Sequence, residues 1–127
     1  MKSILILVLC LTSISLVDAQ VLCRTNNAKI QFVSSAPLEL IKAESNNCQG
    51  ILSPSDGEFV FRVFVKTFDG FNNPIQKEHF YENYLETTDY PEAMFQGFVL
   101  EKIDLDNELQ QDVRAKGDLT IHGVTNE

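Results

Sequence analysis

Two imidazoles, His79 and His122, carry whatever acid–base or metal chemistry this 127-residue chain could perform. Histidine changes charge near neutral pH and is the commonest metal ligand. Glu78 and Glu82 lie close to His79, so two imidazoles and a carboxylate could in principle hold zinc with one open position. The spacing argues otherwise. No His-Glu-x-x-His element occurs, and the two histidines stand far apart in the chain. The stronger reading makes each ring a structural group, bonded to backbone or carboxylate oxygens where a helix meets a sheet. No catalytic residue, metal site or cofactor is therefore expected.

The other reactive residue types give little more. Asp104-Leu105-Asp106-Asn107-Glu108 has the carboxylate density of a calcium loop. Leu109, however, stands where such a loop needs glycine, and Ala115 where it needs a bidentate glutamate. No Gly-x-Ser-x-Gly elbow, phosphate-binding glycine loop or Cys-x-x-Cys pair occurs. Of the three cysteines, Cys10 lies in the apolar N-terminal segment, which leaves Cys23 and Cys48. A hairpin turning at Ser35-Ala36 would set these two directly opposite one another. In an exported protein such a pair could be disulfide-bonded. Two free buried thiols are the alternative.

Export is expected from the first residues. Lys2 supplies a positive start, residues 4–11 are an unbroken apolar run, and Val17-Asp18-Ala19 offers compact residues at a cleavage site. The run is shorter than the roughly 20 residues of a spanning helix. Residues 1–19 thus read as a cleavable signal peptide, 20–127 as one domain, and the location as periplasmic or secreted. Loss of Lys2 and Asp18 together leaves the net charge at −8. That field disfavours nucleic acid and anionic membrane surfaces as partners.

Apolar alternation predicts the elements that must position these residues. Residues 24–34 and 38–46 read as two strands about a Ser-Ser-Ala-Pro turn, with 48–52 continuing the second. Residues 58–68 are the clearest strand. Phe59, Phe61, Val63 and Val65 share an apolar face, while Val60, Arg62, Phe64, Lys66 and Phe68 make a mixed one. Asn73-Pro74-Ile75-Gln76 is a helix start, with a capping asparagine, a first-turn proline and a glutamine three residues after the cap. The helix is expected to reach about Leu85, with Phe80, Tyr84 and Leu85 on its packed stripe. Residues 94–103 and 112–124 read as the last strands, Ala115, Gly117, Leu119 and Ile121 facing inward. The fold expected is all-β, a sandwich or an antiparallel β-barrel, with one short α-helix as a lid or plug. About six strand segments are visible, whereas a barrel closing at eight strands would need two more. The barrel therefore reads as incomplete at the C-terminus.

Five segments then occur in order: Ser35-Ala36-Pro37-Leu38-Glu39; Phe68-Asp69-Gly70-Phe71-Asn72; Lys77-Glu78-His79-Phe80 with Asn83-Tyr84-Leu85-Glu86; Tyr90-Pro91-x-Ala93-x-Phe95; and Gly117-x-Leu119-Thr120-Ile121-His122-Gly123-Val124-Thr125. Together, over residues 24–125, they resemble the YceI family of exported, lipocalin-like proteins. The resemblance implies an extended antiparallel, lipocalin-like β-barrel that holds a polyisoprenoid or isoprenoid-quinone-like lipid along its bore. It makes Phe59, Phe61, Val63, Val65, Phe95, Leu119 and Ile121 candidate bore-lining residues. His79, Phe80 and Tyr84 become candidates for the helix at the barrel mouth. His79 and His122 match motif positions without acquiring a catalytic or metal role, and Cys23 and Cys48 lie outside the pattern.

The function expected is lipid binding by an exported, non-catalytic protein. Its candidate partners are an apolar lipid and a second copy of the chain in a homodimer, with no nucleic acid and no stable membrane insertion. Two alternatives stand beside it. One is an exported metal-dependent or acid–base enzyme using His79 and His122. The other is a non-binding structural or interaction domain of the envelope, favoured if the aromatic residues simply fill a dry core.

Overall fold

The structure is a computed structural model and describes residues 19–35, 37 and 39–127. The expected signal peptide lies outside them but for Ala19. Six strands form one antiparallel sheet in chain order: β1 (Cys23–Ser35), β2 (Leu40–Leu52), β3 (Glu58–Phe64), β4 (Glu92–Val99), β5 (Ala115–Ile121) and β6 (Val124–Asn126). The class is the expected one, all-β with one short helix. The sheet is open, however: β1 and β6 are its edges, and no ladder joins them among the described residues.

The long hairpin corrects the expected register. It turns about Pro37, so that Ser35 faces Leu40. Cys23 then faces Leu52, and Cys48 faces Ala28. Both thiols are free, Cys23 exposed and Cys48 buried, so the anticipated disulfide does not form. Two Asn-Asn pairs adjust the ladder further. Thr25 faces Gly50 and Ala28 faces Cys48, which leaves an extra residue at Asn26-Asn27 of β1. Ile30 faces Ser45, which leaves another at Asn46-Asn47 of β2. Each bulge inverts the alternation of its strand. Ala43, Ser45, Cys48 and Gly50 consequently all point inward, although the spacing changes between Ser45 and Cys48.

β3 obeys its alternation, with Phe59 and Val63 buried and Val60 and Phe64 exposed. It stops sooner than expected. The Thr67 hydroxyl bonds both the Phe64 carbonyl (2.7 Å) and the Ser45 hydroxyl (2.6 Å), which winds residues Val65–Thr67 into a 3-10 turn. Phe68 is thereby buried rather than left on the mixed face. Asp69 then exchanges two 2.8 Å backbone bonds with Glu44, taking β3's place beside the first half of β2.

The helix begins as expected and ends early. Asn73 Oδ1 accepts from the Gln76 amide (2.8 Å) with Pro74 in the first turn, opening α1 (Pro74–His79). Residues Phe80–Tyr84 continue as a π-type turn, closed by the Leu85 amide donating to the Phe80 carbonyl (3.0 Å). The wider turn leaves Leu85 half-buried and Tyr84 64% exposed.

β4 and β5 are shorter than their apolar patterns. Leu100 and Arg114 close the loop between them, the Leu100 amide donating to the Arg114 carbonyl (2.9 Å). The last expected strand breaks at His122-Gly123, where φ values of 53° and 70° make the two-residue reversal into β6. Gly97 faces Gly117, and a Cβ on either would lie 2.1 Å or 2.0 Å from a carbonyl oxygen of the opposite strand. Only glycine permits that approach.

Candidate functional site

Directly opposite residues in an antiparallel sheet point to the same side. Gly50, Phe61, Phe95 and Leu119 therefore form one row across the inner face, from β2 to β5. Phe61 lies across β2 because Gly50 has no side chain; a Cβ there would stand 2.3 Å from the ring. Phe59 packs against both neighbours, its ring 5.7 Å from Phe61 and 5.0 Å from Phe95 between centroids. Phe61, Phe95 and Leu119, with Ile30, Cys48, Val63 and Ala93, line a shallow open groove with a volume of about 30 Å³. Arg62 is the one charged residue at its border. Burial pushes the Cys48 thiol pKa up, so this wall stays uncharged at neutral pH.

A second aromatic cluster stands over the β1 side of the same face. Phe80 stacks on Phe32 at 5.1 Å, Phe68 meets Phe32 edge-on at 5.4 Å, and Phe71 lies 4.9 Å from Phe80. The Tyr81 hydroxyl donates to the Phe68 carbonyl at 2.5 Å, tying the π-type turn to the segment after β3. Burial raises the Tyr81 pKa, which keeps that phenol protonated and a donor. The aromatic face of the helical segment thus packs on the sheet, and Tyr81 rather than Tyr84 makes its inward bond.

The candidate bore residues are only partly brought together. Phe61, Val63, Phe95 and Leu119 border the groove. Phe59 is buried beside it, Val65 is buried in the 3-10 turn, and Ile121 is half-buried at the end of β5. Of the mouth residues, Phe80 belongs to the second aromatic cluster. His79 and Tyr84 instead border a separate open groove with Ile75 and Glu39. Ile30, Cys48 and Ala93 are groove residues that sequence reasoning missed. The alternation Ala28, Ile30, Phe32 signals the first, whereas the bulge in β2 hides Cys48.

The two histidines have different surroundings. His122 Nε2 meets Glu86 Oε2 at 2.5 Å and its ring stands edge-on to Tyr90 at 4.7 Å. His79 is exposed at the rim of that separate groove. Among the described residues, no three of His, Cys, Asp and Glu converge into a set that could hold a metal. No helix among them is long and apolar enough to cross a membrane.

A family model described as YceI-like domain matches residues 23–127. No curated protein matches the chain. Among solved structures, a polyisoprenoid binding domain from Saccharophagus degradans, described as implicated in plant cell wall breakdown, superposes with a TM-score of 0.55 at 20% identity. The match covers 84% of this chain and 63% of that one, so the chain spans less than two thirds of its neighbour's length. At this identity the likeness is one of fold.

Proposed function

The chain belongs to the YceI-like family, and from that premise we propose that it is an exported protein that binds a polyisoprenoid or isoprenoid-quinone-like lipid on its inner face, without catalysis. The row Phe61, Phe95 and Leu119 carries the reading. In a dry core this row would be covered; here Leu119 is 43% exposed and both rings are half-buried. The neighbour's description as polyisoprenoid binding supports the same ligand class. The energetics limit the ligand's size. The groove exposes so little apolar wall that covering it contributes less than the roughly 4–15 kcal/mol that association itself costs. A ligand confined to the groove would bind weakly, so a long chain running along the inner face is required.

Organic extraction of the purified protein followed by lipid mass spectrometry tests the proposal. A prenyl lipid should be recovered, and Leu119→Asp should weaken binding of added geranylgeraniol at least about tenfold, because it sets a charge in an apolar wall. Recovery of no prenyl lipid, together with no binding of geranylgeraniol, would sink it.

A further inference from the structure

Residues 72–90 run from the β1–β2 side of the inner face to the turn between β5 and β6. The first end is tied by several unlike contacts. Asn72 Nδ2 donates to the Leu40 carbonyl (2.9 Å), Gln76 Nε2 donates to Glu39 Oε1 (2.5 Å), and Phe80 stacks on Phe32. Tyr81 adds its bond to the Phe68 carbonyl. Toward the far end Thr87 is bonded to the Tyr81 carbonyl (2.9 Å), and Pro91 accepts from the Val65 amide (2.9 Å) where the chain enters β4. Between these ties the one side-chain link to the β5–β6 turn among the described residues is His122 Nε2 with Glu86 Oε2, Tyr90 lying against the imidazole. That pair is accessible to water, its side chains 38% and 50% exposed.

The backbone singles out the same two residues. Glu86 (φ 45°) and His122 (φ 53°) are the only non-glycine residues with positive φ among those described. Glu86 follows the helical segment, at a place where glycine or asparagine suits the left-handed conformation. His122 opens a two-residue hairpin turn, where asparagine, aspartate or glycine is preferred. Histidine is tolerated in the left-handed region, whereas glutamate is a poor choice there. A strained conformation of this kind persists only where surrounding contacts hold it, so breaking the pair removes one contact that holds the Glu86 turn.

We propose that residues 72–90 are a strap hinged at the Phe80–Tyr81 cluster and released at the Glu86–His122 clasp, opening the inner face beside Ile121 to an apolar chain. What passes under the strap rests on the lipid-binding reading; the opening itself does not. Hydrogen exchange on the full chain tests it with His122→Asn and Glu86→Asn, which keep a residue tolerant of left-handed backbone and remove the clasp. Each variant should exchange at least fivefold faster in residues 86–90 and 115–126 and unchanged in β2 and β3, and the double variant should be no faster than either single. Unchanged exchange at the clasp overturns the proposal, as does acceleration spread evenly over the sheet. In a second arm, either variant should take up a fluorescent geranylgeraniol analogue at least fivefold faster. Equal uptake rates overturn the gating role. Failure of every form to bind the analogue counts against the lipid reading, while the exchange data still decide the clasp.

Discussion

At the scale of single residues, Gly50 controls the groove more than any side chain on its wall. The Phe61 ring occupies the space a Cβ would need, only 2.3 Å away, so the glycine is required by packing rather than by φ. Gly50→Ala should cost about 1–3 kcal/mol, the usual range for overpacking a fitted site. Urea denaturation measures it, and a loss below about 0.5 kcal/mol would mean that the ring is free to move. Nothing in the local sequence marks Gly50 for this part, because the ring above it comes from a strand eleven residues on. Cys23 and Cys48 teach the same lesson. A turn at Ser35-Ala36 would set them opposite one another, but the observed turn about Pro37 carries Cys23 opposite Leu52 instead.

The helical segment shows what is legible at the scale of an element. Asn73, Pro74 and Gln76 act within one turn of each other, and the cap forms as their spacing predicts. The far end does not follow from spacing. An uninterrupted α-helix would align Phe80 with Tyr84, but the π-type turn aligns it with Leu85, and Tyr81 takes the inward bond. Tyr81→Phe should cost about 1 kcal/mol, since it removes a hydrogen bond and leaves its acceptor. Tyr84→Phe, at a 64% exposed position, should stay within about 0.5 kcal/mol of the parent. Thermal denaturation of the two variants side by side checks the contrast, and equal losses would restore the α-helical stripe.

For the whole molecule, charge and burial set opposite pH limits. Asp56, Asp69, Glu101 and Glu127 have pKa values lowered by hydrogen bonds to the folded chain, with Lys77, Arg114 and Lys116 assisting the last three. Their contributions are present above the ordinary carboxylate range and fade as pH falls through it. Cys48 and Tyr81 are raised by burial from 9.0 and 10.0, and Lys116 is raised by Glu127. For a raised pKa the contribution is complete below the unfolded value and is lost as pH rises through the folded one. The urea midpoint should therefore be level from about pH 5 to 8 and fall above about pH 9. Cys48→Ala should flatten the first part of that fall. An unchanged alkaline slope in the variant would show that the thiol is not buried in solution.

Period-2 alternation in 58–64, the helix start at Asn73 and the ordered motifs along 24–125 settled the all-β class, the helical segment and the family from the chain alone. Each depends on residues close together in sequence, where backbone geometry leaves few choices. Register, bulges and the pairing of Glu86 with His122 depend instead on contacts between residues many positions apart. Alternative registers satisfy the same local alternation, so it cannot distinguish them. Only the assembled sheet decides that Asn26-Asn27 and Asn46-Asn47 absorb the extra residues, that Cys48 faces the groove, and that the two left-handed turns meet.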